Sequence, residues 1–250
     1  MPKLNFQIIR LPKVKSTNEY LLHKIEEKKY NQEGVVIYAR AQEQGRGLDN
    51  SSWESEPGKN LTVSFLIKPH FLEADRQFMI NKMAALVVYD FIKYILTKQN
   101  VSIKWPNDIY IDGKKVAGIL IHQIVMGNKI ENSVLGIGIN INQIKFTSGA
   151  PNPVSIIHYL KRELNLEESL SDLCERMEER YRQLSNFDFK IINNDYLKAL
   201  FRFGEFAHYV YKNEPIEAKI TGVNQYGRLN LITKQNKTIE SDFKELVYVL

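Results

Sequence analysis

An arginine held between two glycines, Gly45-Arg46-Gly47, is the feature of this sequence with the most evident chemistry. It lies in a polar stretch between two apolar runs, residues 35–39 and 61–67, which are typical of buried strands. Glycines let backbone N–H groups approach an anion closely, and the guanidinium adds a fixed positive charge. Trp53 offers a flat apolar surface that could cover a ligand. We therefore predict an anion-binding loop, with a plain mobile surface loop as the alternative.

Two later segments strengthen the prediction of a ligand site. The first is Lys104-Trp105-Pro106-Asn107-Asp108, which puts a cation at the end of a short apolar strand, and the second is Gly136-Ile137-Gly138-Ile139-Asn140. Each has a simpler reading. Lys104 could be a solvated lysine at a strand end, and Asn140 could be a structural turn amide.

A helix start near the N-terminus offers polar groups of another kind. Ser16 and Glu19 have the spacing of a capping box and precede a helical pattern through residue 25. The simple interpretation is a capped helix and no more. A helix N-terminus also presents free N–H donors and hydroxyls, which suit a small polar ligand group.

The elements that must position these residues indicate an α+β fold. Apolar patterns predict strands at residues 8–9, 35–39, 61–67, 101–103, 109–111, 116–121 and 134–140. They predict helices at 74–96, 153–165, 166–184 and 194–201. Asp112-Gly113 favours a hairpin turn. We therefore expect a mixed, largely antiparallel sheet flanked by helices.

From Gly204 onward the pattern changes to short strands separated by turns. These strands are predicted at residues 206–211, 216–223, 228–233, 238–241 and 246–249. Such a run is typical of a small SH3-like β-barrel. We therefore expect two domains, residues 1–202 and 203–250, with the barrel packed on the larger one.

Composition excludes several classes of protein. No apolar run approaches the roughly 20 residues of a membrane helix, and the N-terminus is no signal peptide, so we expect a cytoplasmic protein without a membrane partner. Cys174 is the single cysteine, and the five histidines have no ligand spacing, so neither a disulfide nor a zinc site is expected. The charge of +5 is modest, and no helix-turn-helix pattern predicts a DNA partner.

Taken together, these segments resemble the biotin protein ligases, which attach biotin to a lysine of biotin-dependent carboxylases. The resemblance covers nearly the whole chain. It rests on Ser16-Thr17-Asn18, the loop from Gln42 to Trp53, the segments beginning at Lys104 and Gly136, Val116-Ala117-Gly118-Ile119-Leu120 and the C-terminal barrel. The first predicted helix starts at Ser16, so we expect the ligase-only form, without the DNA-binding domain that some relatives carry.

The resemblance implies a two-step reaction with biotin and ATP as substrates and Mg²⁺ as cofactor. The biotin carboxylate attacks the α-phosphate of ATP to give biotinyl-5′-AMP and pyrophosphate. The lysine of a biotin carboxyl carrier protein then attacks the activated carbonyl and displaces AMP. Because two anions meet in the first step, the site needs fixed positive charge. Lys104 is the residue expected to bridge them.

The resemblance also assigns roles to individual residues. Lys104, Arg46 and Asp108 are expected to be catalytic, with Asp108 as candidate ligand for Mg²⁺ or as the group that orients Lys104. The expected biotin-binding residues are Ser16, Thr17, Asn18, Gln42, Gly45, Arg46, Gly47, Leu48, Lys104 and Gly118. The expected ATP-binding residues are Arg46, Trp53, Lys104, Asn107 and Asn140. Gly136 and Gly138 are expected to leave room for the ligand.

One departure from the family bears on how the adenylate is retained. Many relatives continue the glycine loop with basic residues, where this chain has Leu48-Asp49-Asn50-Ser51-Ser52. Arg46 and Lys59 are the nearby charges that could hold the phosphate. We predict that the loop from Gly45 to Trp53 becomes ordered by the ligand.

Other readings of the sequence remain open. A lipoate or octanoate ligase or transferase shares the catalytic fold, although a linear acyl chain leaves Ser16, Thr17 and Gln42 without a role. A non-enzymatic binding module would leave Lys104 and the glycine loop without one. The strand around residues 116–125 could pair across a two-fold axis, which would make a homodimer.

Overall fold

The computed structural model describes residues 4–48, 51–149 and 151–249, and its larger part is built on a seven-stranded sheet. The strands of this part are β1 (Gln7–Leu11), β2 (Val35–Ala39), β3 (Gly45–Arg46), β4 (Ser52–Trp53), β5 (Leu61–Ile67), β6 (Val101–Lys104), β7 (Asp108–Ile111), β8 (Lys114–Met126) and β9 (Lys129–Ile139). β3 and β4 form a separate ribbon, and the large sheet has the order β1-β2-β5-β9-β8-β7-β6. β1 and β2 are parallel and the other pairs antiparallel, which confirms the predicted mixed sheet.

Helices cover both faces of this sheet. They are α1 (Thr17–Glu26), α2 (Phe78–Ile95), α3 (Ile157–Leu160), α4 (Leu166–Ser185) and α5 (Phe189–Ala199). β2 shows how the faces divide, because its side chains alternate between them. Val35 and Ile37 pack with Leu21 of α1, while Val36 and Tyr38 belong to the larger core that contains α2. α4 and α5 pack against α2.

The C-terminal part is a five-stranded antiparallel sheet, at the place where the small barrel was predicted. Its strands are β10 (Phe206–Tyr211), β11 (Glu214–Val223), β12 (Leu229–Thr233), β13 (Thr238–Ser241) and β14 (Leu246–Tyr248), in the order β13-β12-β11-β10-β14. All five predicted strands are present, with bounds that differ by at most two residues from those predicted.

The C-terminal sheet packs on the larger part of the molecule, as we expected from the sequence. Trp105 makes the central contact. The Trp105 indole Nε1 donates a hydrogen bond of 2.8 Å to the carbonyl oxygen of Gly227. The ring of Phe243 lies 5.2 Å from that of Trp105 and 6.2 Å from that of Phe78. Because Trp105 and Phe78 are buried, this contact continues the core of the large sheet.

The helix predictions were partly wrong between residues 153 and 201. In the segment 153–165 only Ile157–Leu160 is helical, because Pro153 pairs with Lys115 of β8 and Lys161 adopts a left-handed conformation (φ 59°) that ends the helix. The next predicted helix, at 166–184, is confirmed as α4. The last one begins at Phe189 rather than 194. A 3₁₀ turn, Ala74–Arg76, replaces the first turn predicted before α2.

Two smaller observations concern Cys174 and the lengths of the helices. Cys174 is buried on α4, and burial raises the pKa of its thiol to about 12, so the thiolate that a nucleophile requires is not formed near neutral pH. In the described part of the chain, no helix combines the length and the apolar character required to span a bilayer.

The turn at Gly227 generates a prediction about how the two parts dock. Gly227 has a left-handed φ of 91°, and a Cβ there would lie 2.3 Å from Cδ2 of Phe78. Gly113 in the β7–β8 turn also has a left-handed φ, 75°, but a Cβ there would meet nothing within 4 Å. Gly113→Ala should cost about 1–2 kcal/mol of unfolding free energy, the price of the left-handed backbone alone. Gly227→Ala should cost about 1–3 kcal/mol more, because the added methyl overpacks Phe78.

Denaturant titration of both variants measures this difference. Equal losses of unfolding free energy in the two variants would show that a methyl group at position 227 does not overpack Phe78.

Candidate active site

A cavity of about 190 Å³ opens between the N-terminus of α1, the β3–β4 ribbon and the strands β7, β8 and β9. Most of the residues predicted to bind ligand lie on its wall. They are Ser16, Thr17, Asn18, Gln42, Arg46, Gly47, Leu48, Trp53, Asn107, Asp108 and Gly118. Distant parts of the chain therefore meet at one site.

One corner of the cavity is built from neutral polar groups. Ser16 caps α1, and its side chain accepts a hydrogen bond from the Glu19 N–H. The next residue, Thr17, donates from its backbone N (2.9 Å) and from its Oγ1 (3.2 Å) to Oε1 of Gln42. Asn18 donates from Nδ2 to the carbonyl oxygen of Leu120 at 2.9 Å. These bonds fix the side chains before any ligand arrives.

Ser64 of β5 also bonds to these groups, and it was not among the predicted site residues. Its Oγ donates to Oδ1 of Asn18 at 2.7 Å and lies 2.8 Å from Oγ1 of Thr17. The side chain is completely buried in β5. A serine inside an apolar strand has no distinctive spacing, so only the packing of α1 on β5 reveals its role.

Another part of the cavity wall carries an ion pair between Asp108 and Lys115. Nζ of Lys115 lies 2.7 Å from Oδ1 of Asp108, and the two side chains are 31% and 17% exposed, respectively. The same ammonium lies 5.8 Å from the ring centre of Trp53. Lys115 thus puts a partly buried cation on the wall.

A β-bulge explains why sequence reasoning missed Lys115. Strict alternation along β8 would put Lys115 and Gly118 on opposite faces of the sheet. The register between β7 and β8 shifts, so that Asp108 faces Gly118 while Tyr110 faces Lys115. The extra residue, Val116, turns Lys115 to the cavity face, as bulges commonly do beside active sites.

Lys104 lies elsewhere, which differs from the prediction that it bridges the reacting groups. It is not on the cavity wall. Its Nζ lies 5.5 Å from the ring centre of Tyr110 and 5.0 Å from that of Tyr248 in β14. Burial lowers the pKa of this ammonium, and the negative charge of Asp108 partly opposes that shift. Lys104 therefore faces the C-terminal sheet.

Two other predicted residues also lie off the wall. The Asn140 amide is buried and donates from Nδ2 to the carbonyl oxygen of Val154 at 3.1 Å, so it supports the backbone after β9. Gly45 pairs with Trp53 in the ribbon, where a Cβ would lie 2.6 Å from the Trp53 carbonyl oxygen. Gly45 thus permits the ribbon to close. Lys59, the other nearby charge, pairs with Glu163 at 2.6 Å.

The glycines of β9 make room for protein side chains, whereas we predicted that they make room for ligand. A Cβ on Gly136 would lie 2.5 Å from the amide of Asn18, and one on Gly138 would lie 2.4 Å from Cε2 of Trp53. Trp53 also lies across Gly118, 3.1 Å from where its Cβ would be. The missing side chains let α1 and the ribbon reach the sheet.

Glu54 holds the ribbon from its far end. Its carboxylate accepts hydrogen bonds from the backbone N–H groups of Thr147 (2.9 Å) and Ser148 (2.7 Å) and from Nε2 of Gln143 (3.2 Å). Burial acts to raise the pKa of this carboxyl, but the bonds from Ser148 and Thr147 outweigh it and hold the pKa at about 2. Glu54 is therefore ionised at neutral pH and fixes the position of Trp53 next to it. Asp49 and Asn50, at the tip of the predicted mobile loop, lie outside the described residues.

Both cations on the described wall are paired with carboxylates. The Arg46 guanidinium lies 3.1 Å from Oε1 of Glu19, and both side chains are about half exposed. Lys115 is paired with Asp108 as described above. An anionic ligand must therefore compete with two carboxylates for these cations.

The described residues hold no group of three or more His, Cys, Asp and Glu side chains that could bind a metal ion by themselves. Asp108 is a carboxylate on the wall that could contribute one oxygen. This suits Mg²⁺, which proteins usually bind through one or two carboxylates together with substrate phosphates.

The contact between Gly138 and Trp53 leads to a prediction. Gly138→Ala should displace the indole and open the ribbon, because overpacking of this kind costs about 1–3 kcal/mol. In a Trp105→Phe background Trp53 is the remaining tryptophan, so the emission reports on Trp53 alone. Because the displaced indole becomes more exposed to water, this emission should shift to longer wavelength. Hydrogen exchange should rise in residues 45–48 and 51–53.

Gly222→Ala in β11 is the matched control, since a Cβ there meets only the Asn230 amide at 3.8 Å. An unchanged Trp53 emission in the Gly138 variant would contradict this account of the glycines.

Comparison with known proteins agrees with the fold. Residues 11–140 match the model of the "Biotin/lipoate A/B protein ligase family". The biotin–[acetyl-CoA-carboxylase] ligase of Paracoccus denitrificans is 30% identical over 174 residues, which cover 68% of this chain and 72% of that protein. The bifunctional ligase/repressor BirA of Bacillus subtilis is 34% identical over 111 residues, 44% of this chain, and the match spans only about a third (34%) of that relative's length.

Among solved structures, the biotin protein ligase from Aquifex aeolicus in complex with biotin and ATP superposes with a TM-score of 0.77 at 25% identity. The superposition covers 96% of this chain and 97% of that one, including the C-terminal sheet. On the matched sequence, this chain belongs to the biotin/lipoate A/B protein ligase family.

Proposed function

We propose that this protein is a biotin–protein ligase. It activates biotin with ATP to biotinyl-5′-AMP and transfers the biotinyl group to a lysine of a biotin carboxyl carrier protein. The observation that carries this proposal is the division of the cavity into a neutral polar corner around Thr17 and Gln42 and a cationic side at Lys115. Biotin has the same division, with a neutral ureido ring at one end and a carboxylate at the other.

The polar corner suits the ureido group. A ureido ring has two N–H donors and one carbonyl acceptor, so hydroxyl and amide side chains are fitting partners. Ser16, Thr17 and Asn18 supply them, and Gln42 and Ser64 hold Thr17 in position. A linear acyl chain such as lipoate has no N–H or carbonyl group to place in this corner, so it would gain none of the additional hydrogen bonds that a ureido ring can make there. The corner therefore favours biotin over lipoate.

Lys115 takes the role that the sequence suggested for Lys104. In the first step a carboxylate oxygen attacks the α-phosphorus, a P–O bond forms, and pyrophosphate leaves with the electrons of the broken bond. Lys115 lies where it can contact both anions once it leaves Asp108, and Arg46 provides a second cation. Fixed positive charge of this kind stabilises the transition state more than the separated reactants.

In the second step the protein has mainly to position the carrier lysine next to the adenylate, and no side chain of the ligase has to act as a nucleophile. The carrier lysine amine attacks the acyl carbonyl, the C–O bond to AMP breaks, and the proton of the amine is lost. No covalent bond to the ligase forms, which agrees with a buried Cys174 whose pKa is raised. Trp53 shields the acyl-phosphate from water along the Gly118 and Gly138 side.

We also propose that the protein uses Mg²⁺, acts on a carrier protein and forms a homodimer. Neutralisation of phosphate charge is the chemistry that Mg²⁺ supplies when bound, with Asp108 as the oxygen ligand on the wall. Residues 121–126 of β8 extend beyond the part that pairs with β7, and this edge supports the homodimer expected from the sequence. We further propose a cytoplasmic location and a division into a catalytic unit, residues 1–202, and a C-terminal unit, residues 203–250.

The function is tested by incubating the protein with biotin, MgATP and a biotin carboxyl carrier domain, and measuring the intact mass of the carrier. The expected result is addition of one biotinyl group. A parallel reaction with lipoate should give none. Modification by lipoate and not by biotin would overturn the proposal.

Lys115→Met should leave the protein folded and slow adenylate formation by about 10²–10³-fold, the usual effect of removing one preorganised group from a charged transition state. Pyrophosphate release with biotin and MgATP measures this rate. Lys114→Met is the matched control, because Lys114 is exposed and lies outside the cavity wall. Near-normal release by the Lys115 variant would remove Lys115 from the mechanism.

Leu48→Arg should slow release of the adenylate. Leu48 lies on the wall beside two cations that are already paired. An added guanidinium could make a charge-assisted contact to the phosphate worth about 1.5–3 kcal/mol, which corresponds to at least about tenfold slower dissociation.

The dissociation rate of pre-formed biotinyl-adenylate measures the effect of Leu48→Arg. Val247→Arg, which adds the same charge on an exposed position of β14, is the control. An unchanged rate in the Leu48 variant would show that the phosphate does not lie near this residue.

A further inference from the structure

The segment of residues 104–108 connects the C-terminal sheet to the cavity wall. At its start, the Lys104 ammonium faces Tyr248 of β14, and Trp105 donates to the carbonyl oxygen of Gly227. At its end, Asn107 donates from Nδ2 to the carbonyl oxygen of Ile119 at 2.8 Å, and Asp108 pairs with Lys115. The segment thus has one end in each part of the molecule.

Lys104 and Asp108 lie directly opposite each other where β6 pairs with β7. Opposed residues of an antiparallel pair project to the same face of the sheet. Asp108 therefore has a cation on each side, with Lys115 in contact at 2.7 Å and Lys104 further away.

Lys104 is partly buried, and among the described residues its ammonium has neither a hydrogen bond nor an ion pair within 4 Å. It contacts only the faces of Tyr110 and Tyr248. Aromatic faces attract a cation without neutralising it. The charge of Lys104 therefore remains available to act on Asp108.

The proposed reaction creates a need for that charge. Lys115 must leave Asp108 to contact the carboxylate and the phosphate. Asp108 is mostly buried, with 17% of its side chain exposed, so a bare carboxylate there would be poorly solvated. Unless Mg²⁺ or a second protein cation lies beside Asp108, this carboxylate would hold Lys115 back from the substrate.

We propose that Lys104 is a positioning residue that compensates the charge of Asp108 when Lys115 moves to the reacting anions. Tyr248 holds the ammonium in place, so the C-terminal sheet contributes to the electrostatics of the cavity without touching substrate. This inference rests on the proposed function.

A double-substitution cycle tests the role, with calorimetric binding of the non-hydrolysable sulfamoyl analogue of biotinyl-adenylate as the measurement. This analogue also requires Lys115 to leave Asp108, and its binding can be measured in variants that do not turn over. Lys104→Met should weaken binding by about tenfold in the otherwise unsubstituted protein, a coupling typical of neighbouring charged groups. In the Asp108→Asn protein the same substitution should have almost no effect. Lys104→Arg keeps the charge, so this variant should bind the analogue as tightly as the unsubstituted protein does.

Lys219→Met is the matched control, because the Lys219 ammonium also lies against an aromatic ring, 5.2 Å from the ring centre of Phe206, but Lys219 is not on the cavity wall. Thermal denaturation establishes that each variant is folded. Equal losses from Lys104→Met in both backgrounds would show that Lys104 acts only by packing, and would overturn the proposal. Failure of the unsubstituted protein to bind the analogue or to release pyrophosphate would overturn the proposed function instead.

Discussion

The cavity depends on two places in β9 where the sheet carries no side chain. At Gly136 the amide of Asn18 occupies the space of a missing Cβ, and at Gly138 the indole of Trp53 does the same. β9 lies in the middle of the sheet between β5 and β8, so α1 and the ribbon converge on one strand. The polar corner follows from the first contact, because Asn18 can then reach both Ser64 and Leu120. The apolar cover of the site follows from the second.

The charged part of the cavity depends on ion pairs rather than on glycines. Its cations are neutralised by protein carboxylates, Arg46 by Glu19 and Lys115 by Asp108. An exposed pair such as the first contributes little to stability and can separate at small cost. The second is more buried, and breaking it leaves a carboxylate that needs another partner. The geometry of residues 104–108 supplies one in Lys104, which makes the docking of the C-terminal sheet relevant to the chemistry.

Motif residues at the helix start, in the glycine loop and at the ends of short strands were predictable from sequence, because their residue types and their order along the chain match a known pattern. Ser16, Gln42, Arg46 and Asp108 all reached the cavity wall. The sheet, its hairpin at Asp112-Gly113 and the five C-terminal strands were predictable from periodicity and turn chemistry. Lys115 was not, because a bulge reverses the face it occupies, and alternation is the only rule that sequence offers there. Lys104 was misplaced for a related reason, since nothing local shows that Tyr248, over a hundred residues away, would cover it.

The central position of β9 also has a consequence for how the chain folds. β9 must pair with β5, whose partner residues are separated from it by some 70 positions of sequence, as in the register of Ser64 with Gly136. Pairings between distant segments form slowly, because the loop they close must first lose its conformational freedom. Neither Asn18 nor Trp53 has its docking place until that pairing exists. The site therefore cannot form before β5 and β9 have paired, and local opening of this pairing would remove the docking places of both side chains.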